Sequence, residues 1–421
     1  MSSQEMAESG ICVDKTSIIR DLQFVLCNSS GERFIVVDFS AKPLLPKGEN
    51  FGSYIQKLDI IVKRCENSSP EKLYLVAKML PLILDQKNNY NYTLSFKREI
   101  FVFERLLPTY RELEIEVGVS EKDLLDIVPK FYGGRLTRNK KWTDQADSDA
   151  IILLENLQLD GYSTGSRKRG LNLNHAKLAI SKLAQYHALG IVMRHRRPSF
   201  FEEAKKYMTS LPFETSESMF NEFVRNFMCS ICTDLRIAKY KDRIRATIDA
   251  CNGWQGFTNF KVVEPWITII HGDFWVNNIM FNWRPGNENE VKFIDFQISR
   301  ICSPLKDVIY FTCSSTSSDV LLNHLDELLD TYYEKLIESL DRLGHDSSAF
   351  TKSSFDHELQ RIASHDLFYC ISALKVFTLD VPKDQREEID ISELLMSHSG
   401  NSLYLDRTWH IISKYTEKGW I

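Results

Sequence analysis

The chain has 421 residues, 43% of them hydrophobic and 26% charged, ordinary proportions for a globular protein with room for two domains or lobes. A formal net charge of -5 without any Lys/Arg-rich block excludes the basic footprint of a nucleic-acid binder and argues against a polyanionic substrate. The first ten residues carry neither the basic nor the apolar region of a signal peptide, and the longest apolar run, Leu73 to Leu84, is broken by Lys78 and Pro81, so a cytoplasmic protein without membrane association is expected.

In chain order, the first 40 residues read as a helix (Thr16 to Leu26) and a strand (Arg33 to Phe39) without evident chemistry. Lys47-Gly48-Glu49-Asn50-Phe51-Gly52-Ser53 then opens a hairpin with strands near Tyr54 to Arg64 and Lys72 to Leu80. Glycines and small polar residues at such a turn let backbone N–H groups approach phosphate oxygens, which makes Gly48, Asn50, Gly52 and Ser53 candidates for contacting a nucleotide.

Lys78 lies in the apolar strand Leu73-Tyr74-Leu75-Val76-Ala77-Lys78-Met79-Leu80, where a buried ammonium needs a partner. Phe96, Ile100, Phe103 and Leu107 recur at helical spacing, and Pro108 is expected to close that helix. Glu99 stands one step from the apolar stripe and is the candidate partner of Lys78, whereas Glu104 is expected on the solvated face. A buried strand follows at Ile151-Ile152-Leu153-Leu154 and leaves its sheet at the polar step Glu155-Asn156-Leu157. The reading then turns helical: Asn174 is expected to cap a helix whose stripe includes His187, which reads as a core residue.

Of the nine cysteines, Cys229 and Cys232 form a lone C-x-x-C with no second pair, and all fit reduced thiols better than a disulfide framework or a zinc site. Phe220, Phe223 and Phe227, with Phe368, Tyr369 and Phe377, read as helix-packing core, or as walls of an apolar acceptor pocket.

The most informative stretch is Ile270-His271-Gly272-Asp273-Phe274-Trp275-Val276-Asn277-Asn278-Ile279-Met280-Phe281, answered by Phe293-Ile294-Asp295-Phe296-Gln297. The pattern reads strand, loop, strand, turn, strand. An acid at 273, an amide at 278 and an acid at 295 suit phosphoryl transfer: one carboxylate orients the acceptor hydroxyl while Asn278 and Asp295 hold Mg²⁺ through oxygen.

H-G-D-x-x-x-x-N followed by D-F resembles the catalytic and metal loops of small-molecule kinases with the protein-kinase-like fold, the aminoglycoside phosphotransferases and the choline or ethanolamine kinases. The fuller form, H-G-D-F-W-V-N-N-I-M-F with D-F-Q, most resembles the insect ecdysteroid-kinase-like family, also called CHK-kinase-like. The resemblance implies an α+β bilobal fold: residues 1–157 as a nucleotide-binding lobe with an antiparallel sheet and one main helix, and 158–421 as a mostly helical catalytic and acceptor-binding lobe. It implies that ATP lies in the cleft, that Lys78 held by Glu99 contacts its phosphates, that Glu155 to Leu157 read the adenine edge through backbone groups, and that Asp307 braces the catalytic loop. The catalytic residues would be Asp273, Lys78 and Glu99, with ATP and Mg²⁺ as cofactors.

The expected acceptor is a hydroxyl of a small molecule, ecdysteroid or sterol-like by resemblance. Choline or ethanolamine as acceptor, and a catalytically silent binding protein for an apolar ligand, are the alternatives. Only residues 296–306 lie between Asp295 and Asp307 and no Ala-Pro-Glu follows, which disfavours a polypeptide acceptor. Gln297 stands where protein kinases have the glycine of D-F-G, and G-x-G-x-x-G is missing. The first departure implies a loop fixed in one arrangement.

Overall fold

The structure, a computed structural model, describes residues 15–30, 33–44, 53–80, 91–138, 146–209, 216–379, 391–398 and 400–421. These divide into two compact units, one made of the described residues within 1–107 and 128–161, the other of those within 108–127 and 162–421.

The first unit is built on a five-stranded antiparallel sheet of β1 (Ile35–Pro43), β2 (Tyr54–Lys63), β3 (Glu71–Met79), β4 (Phe131–Arg135) and β5 (Ile151–Glu155), in the order β1-β2-β3-β5-β4. Along β2, Leu58, Ile60 and Val62 alternate into the core, the two-residue period that a half-buried strand requires. In β5 the four residues Ile151 to Leu154 are all buried, as suits a strand flanked by two others. The N-terminal helix expected over Thr16 to Leu26 is α1 (Lys15–Ser30), and its Leu22, Val25 and Leu26 join the core with Leu58, Ile60, Leu75 and Leu153.

The helix expected around Phe96 and Ile100, α2 (Tyr92–Phe101), is capped by Asn91, whose side chain accepts the Leu94 N–H. Pro108 does not end it. The chain passes through a π turn (Val102–Leu106) into α3 (Leu107–Glu116). Proline lacks an N–H and its ring crowds the carbonyl four residues back. The π turn relieves both by shifting the register, the Leu107 N–H reaching the Val102 carbonyl five residues back.

The second unit is mostly helical. Its long helix α4 (Leu173–Arg196) is capped by Asn172 rather than Asn174: Asn172 is extended, and its side chain accepts the His175 N–H at 3.0 Å. Two small sheets follow, a ribbon of β7 (Thr268–Ile270) with β10 (Arg300–Cys302), and a three-stranded sheet in which β8 (Ile279–Asn282) lies between β6 (Tyr162–Thr164) and β9 (Val291–Phe293). Helices α5 (Glu217–Ile231), α6 (Leu305–Ser315), α7 (Leu325–Arg342), α8 (Lys352–Phe377) and α9 (Ser402–Lys418) complete it. Phe220, Phe223 and Phe227 of α5 set their rings edge-on to Phe368 of α8, at 5.7, 4.9 and 4.9 Å, and so belong to a helix-packing core. Among the described residues no helix is long and apolar enough to cross a membrane.

Candidate active site

In the first unit the Lys78 ammonium donates to Glu99 Oε2 at 2.6 Å, with both residues buried. A glycine allows α2 to lie this close: a Cβ on Gly134 of β4 would come within 2.9 Å of the Ile100 side chain. Removing either partner would strand a buried charge, at a cost of about 3–5 kcal/mol. Glu104 is exposed, as expected. Ser53 is buried, while Gly48, Asn50 and Gly52 lie outside the described residues. At the end of β5 the Glu155 carboxylate accepts the Lys130 N–H at 3.0 Å, Asn156 caps a short 3₁₀ turn that begins at Leu157, and Leu157 is buried.

In the second unit a tight turn joins β7 to the loop that carries Asp273. Gly272 has φ +86°, and a Cβ there would meet the Ile298 carbonyl oxygen at 2.3 Å, so the turn requires glycine twice over. Asp307, in the first turn of α6, holds this backbone from below. Its carboxylate accepts the His271 N–H at 2.7 Å and the Gly272 N–H at 2.9 Å. Its remaining partner is His187 of α4, whose Nε2 donates at 3.2 Å while the ring's Nδ1 accepts from the Tyr332 hydroxyl at 2.8 Å. Burial pushes the Asp307 carboxyl up, but His187, His271 and the Gly272 N–H outweigh it and leave the group below the usual carboxylate range. His187 is therefore a positioning residue in the core.

His271 itself is buried, and burial lowers its proton affinity. Its Nε2 donates to the Ile294 carbonyl at 3.0 Å and its Nδ1 accepts the Asp273 N–H at 3.3 Å, a neutral ring that ties the two loops together.

Asp273 is gripped at both oxygens. Asn278 Nδ2 donates at 2.9 Å to Oδ2 and, at the same distance, to the Asp273 carbonyl, while the Tyr310 hydroxyl donates to Oδ1 at 3.2 Å. Burial and the nearby charge of Asp295 push the Asp273 carboxyl up to about 7, against the opposing pull of Tyr310 and Asn278. A carboxylate poised there suits proton acceptance near neutral pH.

With its N–H groups engaged, the Asn278 amide keeps Oδ1 as a lone-pair donor. The Ile294 N–H donates to the Asn278 carbonyl at 3.0 Å, so the pairing of β8 with β9 brings the next residue, Asp295, beside Asn278. Asp295 adopts φ +69°, a left-handed conformation that an Asp side chain tolerates better than most and that recurs at functional sites. An amide oxygen and a carboxylate are hard donors of the kind Mg²⁺ takes, and two of them leave room for phosphate oxygens and waters. Among the described residues no cluster of three or more His, Cys, Asp or Glu is arranged for a metal.

Aromatic pairs flank this loop. Trp275 stacks on Phe377 with ring centroids 3.8 Å apart, and Tyr310 stacks on Tyr369 at 5.3 Å. Of the aromatics named from sequence, Tyr369 and Phe377 thus lie at the loop, whereas the α5 phenylalanines do not. Tyr310 received no role from sequence. The signal was present, since Asp307 and Tyr310 are three residues apart on one helix and so share the face turned to the Asp273 loop.

The model of the ecdysteroid kinase-like family matches residues 47–345 of this chain. No curated protein matches it. Among solved structures, the chain is similar to a choline kinase from Cryptosporidium parvum at 12% identity and TM-score 0.44, over 97% of this chain and 98% of that one. It is also similar to an ethanolamine kinase from Plasmodium vivax (13%, 0.36, 86% and 81%) and to the choline kinase LicA from Streptococcus pneumoniae (12%, 0.34, 96% and 99%). Likenesses of this size say nothing about the acceptor.

Proposed function

The chain belongs to the ecdysteroid kinase-like family and is an ATP-dependent phosphotransferase with an alcohol acceptor; from that premise we propose that it acts on a small apolar alcohol of ecdysteroid or other sterol type, with Asp273 as base. The observation that carries the reading is the Asp273 carboxylate, held between Asn278 and Tyr310 beside two stacked aromatic pairs.

In this scheme the acceptor's ring system packs on Trp275, Phe377 and Tyr369, and its hydroxyl donates a hydrogen bond to Asp273. The carboxylate orients the oxygen and takes its proton as that oxygen bonds to the γ-phosphorus and the bond from this phosphorus to the bridging oxygen breaks, ADP leaving with the electron pair. Tyr310 and Asn278 keep the carboxylate from rotating, and Asp307 keeps the backbone of the turn from moving, so that little reorganisation remains for the transition state. Asn278 Oδ1 and Asp295 would hold Mg²⁺, which supplies charge neutralisation for the phosphate oxygens. Lys78, fixed by Glu99, would pair with the nucleotide phosphates, and backbone groups from Glu155 to Leu157 would take the adenine. The reading places the enzyme in the cytosol, where ATP is abundant and its thiols stay reduced.

A second acceptor class, amino alcohols of the choline or ethanolamine type, has one observation in its favour: aromatic faces beside a carboxylate also suit an organic cation. Transfer of labelled γ-phosphate from Mg-ATP to a panel of ecdysteroids, other sterols, choline, ethanolamine and aminoglycosides, with Asp273→Asn as control, separates the readings. Product from a sterol, absent in the control, supports the first; product from choline or ethanolamine alone overturns it. Silence across the panel without nucleotide binding favours a binding protein on a kinase scaffold.

A further inference from the structure

The second unit carries an open depression of about 610 Å³ between the loop that follows α3, helix α4 and the end of α7. Val117, Val119 and Leu124 give it an apolar wall, and Lys122, Lys182 and Arg342 bring three cationic groups to it. Two of the carboxylates nearby are paired with cations. Glu114 is buried and accepts from both Arg342, at 3.2 Å, and the Leu125 N–H, at 2.9 Å. Asp126 pairs with Lys292, whereas Asp123, which also lines the depression, accepts from a neutral group, the Ser120 hydroxyl.

Lys182 is left over. It is half-buried on α4, and among the described residues its ammonium has neither a hydrogen bond nor an ion pair. Burial lowers its proton affinity, and the like charges of Lys335 and Arg342 lower it further, outweighing the opposing pull of Asp126 and Glu114. A desolvated cation facing other cations is unfavourable until an anion joins it.

We infer that this depression is a second ligand site, built for a small phosphomonoester whose dianionic head lies between Lys182, Arg342 and Lys122 and whose apolar body rests on Val117, Val119 and Leu124. Three cations on one lining, of which Arg342 also binds Glu114, favour a doubly charged phosphate over a single carboxylate. Nothing in this site touches the Asp273 loop.

The test is calorimetric titration of the full chain with phenyl phosphate and with inorganic phosphate, at ionic strength matched with chloride, on the wild type and on Lys182→Met. Because it reads binding without turnover, it is independent of which acceptor the kinase uses. The expected result is saturable binding of phenyl phosphate that Lys182→Met weakens roughly tenfold or more, with Mg-ATP affinity unchanged. Phenyl phosphate should also raise the wild-type Tm but not that of the variant, and the ligand-free variant should melt no lower than the wild type, having lost an uncompensated charge. If the Met variant does not fold, exposed Lys122→Gln reports the same loss in smaller degree. Equal binding to wild type and variants, or none to the wild type, overturns the site; inorganic phosphate binding as tightly as phenyl phosphate overturns the apolar-body assignment.

Discussion

Asp307→Asn is the perturbation that most directly probes how the turn before Asp273 is held. The carboxylate accepts three bonds, from the His271 N–H at 2.7 Å, the Gly272 N–H at 2.9 Å and His187 Nε2 at 3.2 Å. An amide has one oxygen to offer, so its NH₂ must face at least one of these donors. Each hydrogen bond to a charged acceptor is worth about 1.5–3 kcal/mol. The His271 N–H and His187 both reach Oδ2, so the amide oxygen can keep those two while its NH₂ faces the Gly272 N–H; losing that one bond leaves a net destabilisation of about 2 kcal/mol. Displacing the turn by even about 1 Å would also lower turnover about a hundredfold. Urea unfolding followed by tryptophan fluorescence measures the first effect, and γ-phosphate transfer the second. A variant within about 0.5 kcal/mol of wild type and turning over normally would refute the account, because it would mean that the turn holds itself.

Asp273→Asn should abolish transfer while leaving Mg-ATP binding nearly intact, whereas Asp295→Asn should weaken metal-dependent nucleotide binding too; equilibrium dialysis with and without Mg²⁺ separates the two, and near-normal turnover in the Asp273 variant sinks the assignment. Activity should rise with pH through the Asp273 value of about 7, since only the ionised form takes the hydroxyl proton, and Tyr310→Phe, which removes a bond that favours the anion, should move that limb to higher pH in a pH–rate profile. Asp366 is held down to about 2: burial raises it, but the Lys306 ammonium at 2.5 Å and His365 prevail. A depressed folded value means stability that is present above about pH 4 and lost as pH falls toward 2, a contribution of about 2 kcal/mol. The gap in urea midpoint between wild type and Asp366→Asn should narrow over that window, and a constant gap would exclude the linkage. Gly272→Ala should fail to accumulate as folded enzyme or lose most activity, because its Cβ would collide with the Ile298 carbonyl; a well-folded, active alanine variant, by circular dichroism and transfer assay, would contradict the strained turn.

The elements of the site that were legible in the chain are those whose chemistry is local. His271 to Asn278 and Asp295 are brought together by two short strands and one turn, so their spacing alone carries the geometry. Lys78 and Glu99 were legible because strand alternation and helix phase each pointed one charge into an apolar layer. What escaped depends on backbone register or on long-range contact. Pro108 looked like a helix end because a π turn leaves no compositional mark. Asn172 and Asn174 are equally good caps on paper, and only the backbone chooses between them. Arg407 lies in a helix far along the chain, yet its buried guanidinium donates to the carbonyls of Cys313, Ser314 and Thr316 at the end of α6, and no pattern near either segment announces it.

The match to the family ends at residue 345, before α8 and α9 begin. Those helices nevertheless supply Tyr369 and Phe377, which flank the Asp273 loop, and Arg407, which ties down the helix bearing Asp307 and Tyr310. On the proposed reading, Asp273, Asn278, Asp295 and Trp275 lie inside the family match, whereas Tyr369 and Phe377 lie beyond it. If Tyr369 and Phe377 face the acceptor as proposed, substitutions in α8 would change which alcohols are accepted while leaving the loop that carries Asp273 unaltered.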